Sequence, residues 1–399
     1  MKKRILTIFM ALLLILSPIA NAVNYNSIFY KDAIETFLIG DYATGDILLS
    51  KNIDQAAPIA SMSKIMTYFV VKEEIKKGKA SMEDVVEITD DMSKFNIPGY
   101  SRFGLKTGQK FTVKELLEAV MVLSGNDATE ALAIHIGGSS KKFVELMNKK
   151  AEELGLKKAH FVNPTGLTET LENNEQKFNK MTARELFKLA SQILKDFPET
   201  IEYSKIESID TPDKRKASST LPNRDMKTMK GLKTGFTEEA GYCVTSIFDM
   251  TEKDKEQNYK LITVIMGADT TEQRNTTNKQ LVEFVEANYS YSKVFDLNRS
   301  VTEFTDENTA EKYISVYPDK TFTKLAPKNK NVEIKYNLLD NLSAPYKDGE
   351  IVGSAELVLD GEIVETINLV NKGDKEKQNF FINIFESIKL FFKEIMLLF

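Results

Sequence analysis

The chain has 399 residues, a formal net charge of −5, two histidines and one cysteine. That length supports a large core and two domains, and the negative balance offers no attraction for nucleic acid. Cys243 alone allows no internal disulfide, and His135 and His160 without a Cys/His cluster make zinc, or any other cofactor, unexpected.

At the N-terminus, "MKKR" is basic, "ILTIFMALLLIL" is apolar, and Ala20-Asn21-Ala22 forms a small-residue cleavage site. Residues 1–22 read as a secretory signal peptide, because the apolar run is short for a bilayer span of about 20 residues. Losing Lys2, Lys3 and Arg4 with it would take the charge from −5 to −8. "TFLIGDYATGDILLSKN" (Thr36–Asn52) follows as two strands around a glycine-containing turn. From Ser61 to about Lys77 the apolar residues Met62, Ile65, Met66, Phe69 and Val70 recur at helical spacing. Thr112 and Glu115 predict a capping box for a second helix, expected to end where Gly125 breaks Ser124-Gly125-Asn126. Asn126 or Asp127 is the expected cap of the next helix, and further helices fit Lys141–Leu154 and Thr182–Leu194. His135 and His160 read as packed or surface imidazoles.

After Lys230 the period becomes that of strands. "AGYCVTSIF" and "YKLITVIMGAD" flank the polar "DMTEKDKEQN", and "TTNKQLVEFVEANY" closes the segment as a helix. Beyond Asn298, short alternating runs with turn signals at Asp348-Gly349 and Asp360-Gly361 predict a small all-β domain. The polar spacer "NKGDKEKQN" then leads to a segment in which Phe381, Ile384, Phe385, Ile388, Phe391, Phe392, Ile395 and Leu398 repeat at three and four. Charges on its other side make it a poor span, so it is expected to lie as an amphipathic helix in the membrane surface. Docking on the protein's own core is the alternative.

Three short motifs carry the chemistry. Ser61 and Lys64 stand three apart at a helix start and share a face, beside an apolar stripe that implies burial. Burial depresses a lysine's pKa, and a neutral amine beside a serine makes its hydroxyl nucleophilic without histidine. Ser124-Gly125-Asn126 follows on a helix–helix turn, and Lys233-Thr234-Gly235 at a strand. Order and setting match the Ser-x-x-Lys, Ser-Asp-Asn and Lys-Thr-Gly set of penicillin-recognising serine enzymes, with Gly125 replacing the middle Asp. Gly-Leu-Lys-Thr-Gly occurs twice, from Gly104 and from Gly231. The first copy precedes Ser124 and leads into a helix cap, so it reads as a turn. The second follows both other motifs and is the catalytic candidate.

The chain resembles the serine-type D-Ala-D-Ala carboxypeptidases, the low-molecular-mass penicillin-binding proteins of peptidase family S11. The resemblance spans Ile34 to Tyr289 and includes "DYATGDILLSKN", "APIASMSKIMT", "MVLSGNDATEALA", "HFVNPTGL" and "GLKTGFTEEAGYC". It implies an α/β (α+β) catalytic domain of the serine β-lactamase/transpeptidase type over 23–297, with a mixed antiparallel sheet and an all-helical subdomain. A small β-sandwich-like domain over 298–370 and a spacer with amphipathic anchor over 371–399 complete the layout. The implied substrate is a peptidoglycan stem peptide ending in D-Ala-D-Ala, with β-lactams as covalent inhibitors, at the outer face of the cytoplasmic membrane.

The resemblance further implies that Ser61 attacks the penultimate carbonyl and that Lys64, Ser124 and Lys233 share the proton shuttle. Asn126 would hold the substrate amide, and Thr234 its carboxylate. Gly235 would let the substrate approach, the N–H groups of Ser61 and Phe236 would form the oxyanion hole, and Arg274 would assist carboxylate binding. Relatives often have His where Phe236 stands, and the shortened "LPNRDMKTMK" segment assigns no role to Asn223 or Arg224. A class A-type β-lactamase would need Glu-x-x-Leu-Asn, which "GLTETLENNEQ" lacks. Transpeptidation, and a wall-binding protein without turnover, are the other readings.

Overall fold

The computed structural model describes residues 28–253, 255, 258–378 and 388. The expected signal peptide, and the expected amphipathic helix apart from residue 388, lie outside the described residues. Those described form two compact units that divide between Ala287 and Asn288.

The first unit is built on a five-stranded sheet of β1 (Thr36–Asp41), β2 (Ile47–Lys51), β3 (Met229–Thr237), β4 (Gly241–Asp249) and β5 (Lys260–Ala268). Its order is β3-β4-β5-β1-β2, and every neighbouring pair is antiparallel. The N-terminal hairpin thus pairs with strands from the far end of the unit, Leu38 facing Val264. All six residues of β1 are buried, which explains why this strand reads as a continuous apolar run rather than an alternating one.

Apart from the one-turn helix Asp90–Ser93, the α-helices between β2 and β3 are α1 (Lys64–Lys76), α2 (Val113–Leu123), α3 (Asn126–Gly137), α4 (Ser140–Glu153) and α5 (Ala183–Asp196). The closing helix is α6 (Thr271–Asn288). A 3-10 turn, Ala60–Ser63, precedes α1, and every residue from Lys64 to Val71 is buried. The helix is therefore enclosed on all sides rather than along one stripe, as suits a central helix. The capping box on α2 forms as expected, and Thr182 and Glu185 make a second one on α5.

The turn between α2 and α3 differs from expectation. Ser124, not Gly125, takes the left-handed conformation that ends α2 (φ 62°, ψ 29°). Gly125 is instead the N-cap of α3, with no side-chain cap, so neither Asn126 nor Asp127 serves as one. Both side chains are thereby released for other bonds.

The second unit contains β6 (Tyr289–Phe295), β7 (Thr302–Thr305), β8 (Tyr313–Pro318), β9 (Phe322–Pro327), β10 (Val332–Leu338), β11 (Ile351–Leu359) and β12 (Glu362–Asn371). They form a sheet of order β7-β8-β12-β11-β10 and the separate pair β6-β9. Phe295, Ile314, Val316, Tyr346, Val352, Leu357 and Leu369 are central to its core. Asp360 and Gly361, both at positive φ, turn β11 into β12 as their sequence predicted. The spacer is not free. Lys375 exchanges backbone bonds with Tyr346, and the Gln378 N–H donates to Asn308 O.

Candidate active site

Ser61 lies in the 3-10 turn before α1, just after Ala60, which sits at φ 46°. That left-handed backbone costs a non-glycine residue about 1–2 kcal/mol. Such strain collects at functional turns and persists only where the surroundings hold it. Here Gly166 presses on the Ala60 carbonyl from one side and β3 from another. A Cβ on Gly235 would stand 2.9 Å from Ile59 O, 3.2 Å from Ala60 Cβ and 3.2 Å from Met62 N. Gly235 was expected to admit a substrate. Its described neighbour is the Ser61 turn itself, against which only a glycine lets β3 run. Thr245 on β4 adds a contact from its hydroxyl to Met62 Sδ at 3.3 Å.

Lys64 is wholly buried, and its three ammonium donors meet three acceptors. Nζ lies 2.9 Å from Ser61 Oγ, 2.7 Å from Asn126 Oδ1 and 2.6 Å from Thr165 O. Two influences oppose each other. Three acceptors suit the ammonium, whereas burial, reinforced by the charge of Lys233, holds the pKa well below the usual lysine value. Asp127 pulls the other way.

The Thr165 carbonyl had no role in the sequence reading. It is delivered by a loop held by several side-chain hydrogen bonds. Asn163 Oδ1 accepts from the Gly166 N–H and the Thr165 hydroxyl, while Thr67 Oγ donates to Pro164 O. Asn179 grips the same loop through Val162 N and Asn163 O, and its own carbonyl accepts from Ile59 N. The quoted "HFVNPTGL" was the available signal, but a backbone acceptor has no side-chain signature.

Asn126 opens α3, and its N–H donates to Ser101 O at 2.8 Å. Ser124 is buried two residues before it. Asp127, fully buried, accepts from the N–H groups of Phe103, Gly104 and Leu105 at 2.7, 2.7 and 2.9 Å. The first Gly-Leu-Lys-Thr-Gly copy is thus a clamp for the Ser124–Asn126 turn. Its Lys106, Thr107 and Gly108 are exposed, with the Thr107 hydroxyl donating to Asp90.

In the second copy Lys233 is wholly buried, Thr234 is 7% exposed, and the motif lies inside β3 rather than at its start. Burial, with the charge of Arg274 second, pushes the Lys233 pKa down to about 7. Its Nζ donates to Thr234 O at 3.0 Å. Phe236 is half exposed and stacks on its cross-strand partner Tyr242 with centroids 4.3 Å apart. Arg274, on α6, is buried and felt electrostatically by Lys233, whereas Arg224 is exposed, its Nη1 donating to Ile206 O at 3.3 Å. Direct bonds therefore join Ser61, Lys64 and Asn126, packing brings β3 against them, and charge links Lys64, Lys233 and Arg274. Among the described residues no group of three or more His, Cys, Asp or Glu is placed to hold a metal ion.

Comparison with known proteins identifies the family. The family model described as D-alanyl-D-alanine carboxypeptidase matches residues 27–270, and that of the penicillin-binding protein 5 C-terminal domain matches 289–377. The D-alanyl-D-alanine carboxypeptidase DacF of Bacillus subtilis is 34% identical over 343 residues, 84% of each chain. The solved penicillin-binding protein 5 of Haemophilus influenzae aligns with a TM-score of 0.67 at 29% identity, covering 86% of this chain and 98% of that one. Penicillin-binding protein D2 of Listeria monocytogenes, in its ampicillin-bound form, aligns with a TM-score of 0.54 at 28% identity over 63% of this chain and 96% of its own. The chain belongs to the D-alanyl-D-alanine carboxypeptidase family of penicillin-binding proteins and is a serine hydrolase of peptidoglycan metabolism.

Proposed function

We propose that Ser61 is the nucleophile that removes the terminal D-Ala from stem peptides, and that β-lactams acylate the same oxygen. The observation that carries this is the buried Lys64 amine, bonded to both Ser61 Oγ and Asn126 Oδ1. Lys64 takes the hydroxyl proton as Ser61 Oγ bonds to the penultimate D-Ala carbonyl carbon. Burial assists this step by favouring the neutral amine. A proton then reaches the departing amine of the terminal D-Ala through Ser124 and Lys233, the C–N bond breaks, and water later hydrolyses the acyl-enzyme.

Asn126 orients the substrate amide from the head of α3. Thr234, Lys233 and Arg274 bind the terminal carboxylate, and the peptide pairs with the open side of the edge strand β3. The Ser61 and Phe236 N–H groups receive the oxyanion, each worth about 3 kcal/mol in the transition state. Phe236 fills this role with its backbone, so its aromatic side chain alters what lies beside the peptide and leaves the chemistry intact.

The same reading places the enzyme outside the cytoplasmic membrane. A signal peptide over 1–22 exports it, a catalytic domain over 23–297 acts, and a β domain over 298–370 carries the anchor of 371–399. The supporting feature is the amphipathic repeat from Phe381 to Leu398, which inserts apolar residues into the membrane surface.

The test is release of free D-Ala from a stem pentapeptide ending in D-Ala-D-Ala. The wild type releases it and Ser61→Ala does not. Release by Ser61→Ala at the wild-type rate would refute the assignment.

A further inference from the structure

The inner face of α6 is polar where an apolar one is expected. Arg274, Thr277 and Asn278 are all buried, ahead of the apolar Leu281, Val282 and Val285. Burying an amide is unfavourable unless its bonds are met, and those of Asn278 are met in full. Its Nδ2 donates to Ser246 Oγ and to Asn223 Oδ1, each at 3.1 Å, and its Oδ1 accepts from Thr263 Oγ at 2.6 Å. Ser246 on β4 and Thr263 on β5 are direct cross-strand partners. The helix is therefore keyed to two adjacent strands at one point, which fixes its rotation about its own axis. Arg274 lies four residues earlier, on the same face.

A second tie acts from the loop that feeds β3. Asn223, in left-handed backbone at φ 53°, accepts from Asn278 Nδ2 and donates its own Nδ2 to Asn275 O at 3.2 Å. Asn275 Oδ1 in turn accepts from Arg274 Nε at 3.0 Å. A row of amides thus runs from the β4–β5 pair, through Asn278, Asn223 and Asn275, to the arginine. The loop carrying Asn223 continues directly into the strand of Lys233 and Thr234.

We infer that Asn278 and Asn223 are positioning residues that aim the Arg274 guanidinium at the substrate's terminal carboxylate. Sequence gave Asn223 no role and did not single out Asn278. The inference rests on the proposed carboxylate role of Arg274, so its test must separate the two. The full-length protein is acylated in parallel with benzylpenicillin and with its methyl ester, which lacks the carboxylate. The variants are Arg274→Ala, Asn278→Ala, Asn223→Ala and Arg274→Ala/Asn278→Ala.

Misplacement of about 1 Å away from the reacting bond can lower a rate by up to about 100-fold. Each asparagine variant is expected to lose about 10-fold or more on the free acid and to leave the ester rate unchanged. The double variant is expected to fall no further than Arg274→Ala, as for residues acting through one group. If Arg274→Ala loses acid and ester equally, the carboxylate reading fails, and this inference with it. If Arg274→Ala is selective but both asparagine variants are not, the inference alone is overturned. Asn223→Ala, at a part-buried loop position, carries the test if Asn278→Ala does not fold.

Discussion

Gly166→Ala tests how tightly the Ser61 turn is held. Gly166 has φ +84°, and a Cβ built there would lie 1.9 Å from Ala60 O, 2.4 Å from Ala60 C and 2.8 Å from Ser63 Oγ. Reaching an ordinary 3.4 Å contact requires an opening of 1.5 Å, and the group that must yield is the backbone immediately before Ser61. The left-handed conformation alone costs about 1–2 kcal/mol. Gly155→Ala isolates that term, since Gly155 has φ +67° and only Lys188 Nζ, 3.9 Å away, near its built Cβ.

The two substitutions should therefore lose similar stability from strain while differing at the site. A displacement near 1 Å lowers an enzymatic rate about 100-fold. Gly166→Ala should thus slow acylation by a fluorescent penicillin about 100-fold or more, and Gly155→Ala should leave it unchanged. Stopped-flow labelling gives the rates and thermal unfolding the stability. Wild-type acylation by a folded Gly166→Ala protein would refute the claim that this glycine sets the position of the nucleophile.

Three further outcomes follow from the same geometry. Lys233→Ala should reduce acylation at least about 100-fold, through loss of the buried amine that relays a proton and binds the terminal carboxylate, whereas Lys106→Ala should retain the wild-type rate. Equal effects on the two copies would contradict the assignment of the second as catalytic. The Lys233 pKa is about 7 when folded, against about 10.4 in the unfolded chain, so between those values the unfolded chain binds the extra proton. This penalty is absent above the unfolded value and grows as pH falls toward 7; denaturant titrations should show wild-type stability rising from pH 7 to 9 more steeply than that of Lys233→Met. Thr182→Ala removes the buried capping box of α5 and should cost about 1–2 kcal/mol in urea unfolding without changing acylation.

Local signals in the sequence translated well into structure. Thr112 and Glu115 predicted their cap because two residues three apart decide it, and Asp360-Gly361 predicted its hairpin because the turn needs positive φ twice. Ser61, Lys64 and Asn126 were legible as a set because order and spacing survive in a linear chain. What escaped was decided by tertiary packing. Thr165 contributes a carbonyl oxygen, a group every residue possesses. Asp127 looked like a helix cap because that is its commonest local use, yet Gly125 took the cap and left the carboxylate for the 103–105 backbone. Strands β6 and β9 went unread because they stabilise each other, Tyr291 facing Leu325, while serines, lysines and Pro327 blur their alternation. Both strands fall within the unit that runs on from Asn288.

The central claim is that one oxygen, Ser61 Oγ, forms the covalent intermediate. Ser63 lies in the same turn with its hydroxyl donating to Ala60 O, and Ser124 is buried two residues before Asn126, the partner of Lys64, so the claim is discriminating. Peptide mapping by mass spectrometry after brief exposure to benzylpenicillin tests it directly. The account predicts a single benzylpenicilloyl group on Ser61, absent from Ser61→Ala. An adduct on Ser63 or Ser124, or one that persists in Ser61→Ala, would contradict it.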